Sequence, residues 1–219
     1  VMELLEFARG PALTFALTVF VAGVFVRIAV IAFMWRTKDS SVGSRRERPA
    51  FLAALQEIGR RMWPLSVYRQ RTLFNLINGY VFHNGLAIIV FLLLPHILFI
   101  KDLTGLYWGH LPNNVIYAIS NVTLISLIAA LVMRLGNPAQ RIISTFDDYA
   151  AWFVTFLPVL TGIIATTHLG ARYETLLALH ILSVVLLLIY LPFGKLMHFF
   201  LVFVTRSQTG AHLNHRGAQ

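Results

Sequence analysis

Residues 174–204 read ETLLALHILSVVLLLIYLPFGKLMHFFLVFV, and this stretch decides the fold. Glu174 and Lys195 are its charged residues, and the remainder is almost entirely apolar. A membrane-spanning helix needs about 20 mainly apolar residues, so the stretch is long enough to cross a bilayer with tilt and to protrude from it. The sequence therefore predicts a transmembrane helix near its C-terminal end.

Four further apolar stretches of similar length precede it, at about 11–35, 74–100, 113–133 and 149–168. Hydrophobic residues make up 58% of the 219-residue chain and charged residues 12%, which is about half the charged share of a soluble domain. The chain has no cysteine, so disulfides, thiolate iron–sulfur sites, Zn–Cys sites and covalent C-x-x-C-H haem attachment are excluded. We predict an all-α integral membrane bundle of five transmembrane helices forming a single domain over 1–219.

The distribution of basic residues predicts the orientation of this bundle. The net charge is +9, and half of the 18 Lys and Arg residues lie between positions 36 and 71. Cytoplasmic loops are enriched in Lys and Arg, so the loop 36–73 and the tail 205–219 are expected in the cytoplasm, with the N-terminus outside. Because membrane topology explains this cluster of basic residues, we do not expect nucleic acid as a partner. The predicted location is the cytoplasmic (inner) membrane of a prokaryote, with membrane lipid as a partner.

The loop 36–73 also predicts an amphipathic cytoplasmic helix between the first two spans. Apolar residues recur there at helical spacing with charged residues between them; they are Phe51, Leu52, Leu55, Ile58 and Met62. Two compatible interpretations follow. The helix lies in the headgroup layer, attracted by anionic lipid, or it is a docking platform for a cytoplasmic subunit.

Four histidines lie within the predicted spans, His83 and His96 on the second and His180 and His198 on the fifth. Ionisable side chains at membrane depth are costly and usually functional. Eighteen residues make five whole helical turns, so His180 and His198 are expected on one face, about 27 Å apart. Because the two spans run in opposite directions, His83 matches His198 in depth near the cytoplasm, and His96 matches His180 near the outside.

Two depth-matched imidazole pairs in an apolar bundle predict two haem b groups, each with one pair as its axial iron ligands. The alternatives are histidines that only pack, or a proton relay, but a relay would normally enlist Asp or Glu, which the apolar cores lack. His83 and His96 are thirteen residues apart and point about 140° away from each other on an ideal helix. Pro95 is expected to kink or rewind that turn. His110 and His168 are the alternative outer ligands.

Bound haem would also need partners for its propionates and room for its ring. The cationic propionate candidates are Arg27, Arg71, Arg134 and Lys195. Arg27 lies within a span, and its alternative role is to snorkel to the interface. Gly85 allows a porphyrin to approach the second span, or else serves helix–helix packing.

Three motifs resemble one known family. They are A-L-His180-I-L…L-P-F-G-Lys195-L-M-His198, Phe82-His83-Asn84-Gly85, and Gly23-x-x-x-Arg27 followed by Trp35-Arg36. Over nearly the whole chain, the sequence resembles the gamma-subunit family of membrane-bound respiratory nitrate reductases, the five-helix dihaem cytochromes b. That family includes membrane subunits of sulfite-reduction-associated and heterodisulfide-reductase-like complexes. In the nitrate reductase member the second-helix histidines are ten apart, whereas ten residues after His83 is Leu93, so His96 is assigned by depth.

The resemblance implies a function in electron transfer between the membrane quinone pool (menaquinone or ubiquinone) and a cytoplasmic iron–sulfur partner subunit. Catalysis would then belong to a further subunit, and no residue of this chain is expected to be catalytic. In the family the quinol pocket adjoins the outer haem; the corresponding candidates here are Lys101, Asp102, Tyr107, Trp108 and His110. Two other functions stay open, a haem-bearing anchor or electron relay without a quinone site, and a non-redox transporter or assembly factor.

Overall fold

The computed structural model describes residues 2–34, 42–43, 48–64, 66–167 and 170–218. The regular secondary structure of these residues is helical, and no strand occurs among them. Helix α1 (Met2–Phe7) continues through a π-helical turn (Ala8–Ala12) into α2 (Leu13–Phe33). The remaining helices are α3 (Ala50–Arg60), α4 (Arg69–Leu92), α5 (Leu94–Thr104), α6 (Asn113–Gly136), α7 (Pro138–Ile143), α8 (Phe146–Thr167), α9 (Tyr173–Tyr190) and α10 (His198–His215). Trp35 and Arg36 of the third motif, and the alternative ligand His168, lie outside the described residues.

Five helical segments are long and apolar enough to cross a membrane. They are Met2–Phe33, Ser66–Leu92, Asn113–Gly136, Phe146–Thr167 and Tyr173–Tyr190. The predicted class, an all-helical multi-pass membrane protein, is therefore confirmed. The orientation of the bundle stays a prediction.

Both spans that carry the histidines are interrupted. The sequence predicted a kinked or rewound turn at Pro95 in the second span, but a continuous helix in the fifth. The stretch 74–100 divides into α4 and α5 at Leu93, whose backbone is extended (φ −85°, ψ 126°). Pro95 lies in the first turn of α5, where the missing N–H of proline is tolerated because that donor has no intrahelical partner.

The stretch 174–204 divides as well. Helix α9 ends at Tyr190, a turn containing Pro192 and Gly194 follows, and a 3-10 turn (Lys195–Met197) leads into α10. His180 and His198 therefore lie on different helices, and the separation of about 27 Å expected for one straight helix does not apply.

The transmembrane helices pack in an open arc. Within the described part of the chain, extensive contacts join α4 to α6, α6 to α8, α8 to α9 and α9 to α2. No comparable contact joins α4 to α9 or to α2 among those residues. The arc therefore leaves α4 and α9 facing each other without backbone packing between them.

Helix α3 forms where the sequence predicted an amphipathic helix, and it packs against α10. Ala53 and Glu57 of α3 are buried, and a Cβ at Gly210 of α10 would lie 2.7 Å from the Ala53 carbonyl oxygen. The large apolar side chains of α3, Phe51, Leu52 and Leu55, are exposed. Ala53 and Glu57 thus face α10, whereas the large apolar face of α3 is exposed. The position of that face relative to the membrane stays a prediction.

The α4–α6 interface depends on close backbone approach. A Cβ at Gly85 would overlap the Thr123 hydroxyl and lie 3.1 Å from the Thr123 Cβ. Two turns nearer the N-terminus of α4, the Asn78 amide donates to the Ser126 carbonyl (3.0 Å). Ser126 Oγ donates to Asn78 Oδ1 (2.7 Å). Of the two roles considered for Gly85, the structure supports helix–helix packing.

We expect Gly85→Ala to destabilise the protein by about 1–3 kcal/mol, because the added methyl group overpacks the contact with Thr123. Thermal unfolding in detergent measures the effect as a lower midpoint. The double variant Gly85→Ala/Thr123→Ala removes the overlapped hydroxyl and should recover most of the loss. Gly136→Ala is the matched control, since nothing lies within 4 Å of a Cβ at that position. A midpoint for Gly85→Ala equal to that of Gly136→Ala would contradict this prediction.

Candidate functional site

The four histidines that the sequence places within the membrane meet in two pairs. His83 of α4 faces His198 at the start of α10, with ring centroids 6.0 Å apart and ring planes at 83°. His96 of α5 faces His180 of α9, with centroids 6.2 Å apart and planes at 16°. These are the two pairings that the depth argument predicts. Each pair bridges the gap between α4–α5 and α9–α10 that the open arc of helices leaves.

The spacing of both pairs fits two imidazoles on opposite sides of one metal ion. Imidazole nitrogens bind transition metals at about 2 Å, and a ring centroid lies about 1 Å behind its nitrogen, so the two centroids of such a site lie roughly 6 Å apart. Aromatic rings in direct contact cover an overlapping range of centroid distances. The orientation of the ring nitrogens is therefore needed to distinguish coordination from simple packing.

In all four rings Nδ1 lies within hydrogen-bond distance of an oxygen atom. The partner atoms are Gly79 O for His83 (2.7 Å), Lys195 O for His198 (2.8 Å), Ile89 O for His96 (2.9 Å) and Thr161 Oγ1 for His180 (3.2 Å). Carbonyl oxygens only accept, so Nδ1 is the protonated nitrogen of His83, His96 and His198, which leaves the Nε2 lone pair of each ring for a ligand. Thr161 Oγ1 also lies 2.7 Å from the Leu157 carbonyl oxygen.

No three His, Cys, Asp or Glu side chains converge on a possible metal position anywhere in the described ranges. Each candidate site therefore offers two protein nitrogens. This donor set suits a metal whose other ligands come from a macrocycle, and haem b with two axial imidazoles is the cofactor that it fits.

The break at Pro95 explains how His96 reaches His180. Proline has no N–H for the Phe91 carbonyl, and that carbonyl instead accepts from the Trp108 indole (2.5 Å). The Leu92 carbonyl accepts from Leu111 N (3.0 Å), and the Ile89 carbonyl from the His96 ring. Three of the four terminal carbonyls of α4 thus have donors outside the helix. The angle of about 140° expected on an ideal helix does not arise, because α5 is a separate helix.

Trp108 has a structural role in this arrangement. Its single N–H donor is used on the Phe91 carbonyl, so it is not available to a quinone oxygen as the sequence suggested. The other quinone candidates are exposed at the end of α5 and in the loop after it; these are Lys101, Asp102, Tyr107 and His110. The Lys101 ammonium lies 5.4 Å from the centroid of the Tyr107 ring. His96, rather than His110, is the histidine opposite His180.

We expect Trp108→Phe to cost about 1–3 kcal/mol of stability, because it leaves the Phe91 carbonyl without its donor. A thermal melt in detergent should show a lower midpoint. Trp63→Phe is the matched control, since Trp63 is 55% exposed. A Trp108→Phe midpoint equal to those of Trp63→Phe and the wild type would show that the Trp108 hydrogen bond does not stabilise the interruption between α4 and α5.

Helix α8 holds the His180 ring through two residues that the sequence analysis missed. Thr161 Oγ1 lies 3.2 Å from His180 Nδ1, and a Cβ at Gly162 would lie 3.2 Å from His180 Cε1. Ser183 Oγ lies 2.9 Å from Thr161 Oγ1 and donates to the His180 carbonyl (2.6 Å). A glycine inside a transmembrane helix signals close approach by a neighbour, and only this signal in the sequence pointed to Gly162.

The four cationic propionate candidates divide into two kinds. Lys195 Nζ lies 2.5 Å from Asp148 Oδ2, and Arg134 lies 3.3 Å from Asp148 Oδ1. Arg27 and Arg71 are exposed, and neither has a hydrogen bond or ion pair with another described residue.

Arg27 is the better placed of the two exposed candidates. A Cβ at Gly23 would lie 2.7 Å from Pro192 in the turn that leads to His198. Residues four apart share a helix face, so Arg27 lies one turn along α2 on the face that meets this turn.

Similarity to a known protein covers nearly the whole chain but carries no functional name. A protein of Nitratidesulfovibrio vulgaris, described only as "Protein", is 29% identical over 208 residues, which are 93% of this chain and 91% of the relative. No protein-family model matches the sequence. No solved structure matches it either.

Proposed function

We propose that this chain is a dihaem cytochrome b, the membrane subunit of a respiratory redox complex in a prokaryotic inner membrane. It would exchange electrons between membrane quinone or quinol and a cytoplasmic iron–sulfur partner, which passes them to a catalytic subunit. The observation that carries the proposal is the pair of facing imidazoles at each of two places, with three of the four Nδ1 atoms donating to backbone carbonyls.

Each proposed haem would be held by one histidine pair. His83 and His198 would hold one haem b, and His96 and His180 the other; each haem would supply one-electron redox chemistry when bound. His96 and His180 are half-buried between the helices, whereas His83 and His198 are exposed. Backbone carbonyls fix the tautomer of three of the four rings. Arg27 would pair with a propionate beside the turn that carries His198.

The two surfaces expected to meet other molecules lie beyond the histidine pairs. Lys101, Asp102, Tyr107 and His110 follow His96 at the end of α5, where a quinone oxygen would find donors and acceptors. The open apolar face of α3 would contact anionic lipid, the cytoplasmic partner, or both. These assignments rest on the predicted orientation, with α3 in the cytoplasm.

Reduction by quinol tests the proposal. The purified oxidised protein is mixed with a menaquinol analogue and, separately, with a ubiquinol analogue, and the haem absorption spectrum is followed. We expect reduction by at least one quinol, and slower reduction for Lys101→Met or His110→Ala. Haems that dithionite reduces but neither quinol reduces would instead indicate the anchor or relay without a quinone site. A colourless protein would indicate the non-redox function.

A further inference from the structure

Two polar contacts join the turn between α9 and α10 to the start of α8. At the first, the Tyr190 hydroxyl donates to the Asp147 carboxylate. Gly194 makes this possible, because a Cβ there would overlap the Tyr190 ring. The turn that presents His198 therefore starts from a fixed position.

The second contact is the ion pair between Lys195 and Asp148. The Asp148 side chain is 13% exposed, and one of its oxygens, Oδ2, accepts from Lys195 Nζ (2.5 Å), Thr145 N (2.8 Å) and Thr145 Oγ1 (3.0 Å). The other oxygen lies 3.3 Å from Arg134. Four donors from three residues thus hold this carboxylate in place, and the carboxylate in turn holds Lys195.

Lys195 connects this ion pair to a haem-ligand candidate. Its side chain is fixed by Asp148, and its backbone carbonyl accepts from His198 Nδ1 at 2.8 Å. The second-shell acceptor of a metal-ligating histidine fixes the tautomer and the plane of the ring. At the other pair, the oxygen partners of Nδ1 are the Ile89 carbonyl and the Thr161 hydroxyl, so no carboxylate ion pair lies behind either ring.

We infer that Asp148 is a positioning residue for His198, acting through Lys195 to set the plane of the imidazole at the His83–His198 site. The inference rests on the proposed function, because it takes His198 as an axial ligand. It reassigns Lys195, which the sequence offered as a propionate partner, to this ion pair. Arg134, which shares Asp148 and also donates to Ser144 Oγ (2.9 Å), belongs to the same cluster.

The ring planes give this inference a direct readout. They are nearly perpendicular at His83–His198 (83°) and nearly parallel at His96–His180 (16°). The angle between two axial imidazole planes sets the anisotropy of the EPR signal of low-spin ferric haem, so the two sites should give two separable signals. Loss of the Asp148–Lys195 ion pair should change the more anisotropic signal and leave the other unchanged.

The experiment compares EPR spectra and haem content of the full-length oxidised protein with those of Asp148→Asn and Lys195→Met. We expect both variants to shift or broaden the more anisotropic signal, or to lose that haem alone, while Lys195→Arg keeps the wild-type spectrum. Glu3→Gln is the control, because Glu3 is an exposed carboxylate on α1, outside both histidine pairs and the quinone candidates. Unchanged spectra in both variants, or equal changes at both haems, would overturn the inference. A wild type without any haem signal would instead refute the proposed function, so the two failures are distinguishable.

Discussion

Replacing His83 or His198 by alanine is expected to lower the haem content of the purified protein from two per chain to one. Each change leaves one imidazole at that site, whereas the His96–His180 pair lies on other helical segments and keeps both of its ligands. His96→Ala and His180→Ala should each remove the haem of the His96–His180 site. The double variant His83→Ala/His96→Ala should remove both haems. Pyridine haemochrome absorbance relative to protein concentration measures the number directly.

His110→Ala is the matched control for this series, because His110 lies outside both pairs and is exposed. It should retain two haems, and this result would also eliminate His110 as the outer ligand. Full haem content in the His83, His180 and His198 variants would contradict the ligand assignment. A loss in His110→Ala together with full content in His96→Ala would exchange the roles of those two residues.

Gly162→Leu should remove the haem at His96–His180 and leave the other in place. A Cβ at Gly162 would lie 3.2 Å from His180 Cε1 and 3.4 Å from Nδ1, so a leucine side chain must displace the ring from its position opposite His96. Side chains in a packed interior relieve such an overlap only by leaving their rotamer or moving the backbone. The haem content should fall to one per chain, and only one EPR signal should remain.

Gly136→Leu provides the control for the size of the substitution, since Gly136 is the last residue of α6 and has nothing within 4 Å of a Cβ. It should retain both haems. Two haems with unaltered spectra in Gly162→Leu would show that the His180 ring does not need the position against α8 that the structure gives it.

The histidine pairing could be predicted from the sequence because it depends on direction and depth alone. Two apolar stretches of opposite direction, each with two histidines, allow only one depth-matched pairing, and the structure brings those residues together. The proline at position 95 also signalled an irregularity before His96. The second interruption was missed because long apolar runs continue on both sides of it, so that Pro192 and Gly194 fall within one predicted span.

The supporting contacts could not be predicted, because they join residues far apart in the chain. Thr161 and Gly162 meet His180 only after α8 and α9 have packed, and Asp148 meets Lys195 across 47 residues. The same reason applies to α3 and α10, where Asn214 pairs with the backbone of Arg48 at a separation of 166 residues. Periodicity describes one helix at a time, whereas these contacts depend on which helices become neighbours.

Counting the haems of the wild-type protein tests the central claim most directly. The full chain is purified in mild detergent, and its reduced-minus-oxidised spectrum is recorded together with a pyridine haemochrome assay and a protein determination. We predict a b-type spectrum and two haems per chain. A colourless protein, or one that binds a single haem when supplied with excess haem, would contradict the assignment of two bis-histidine sites.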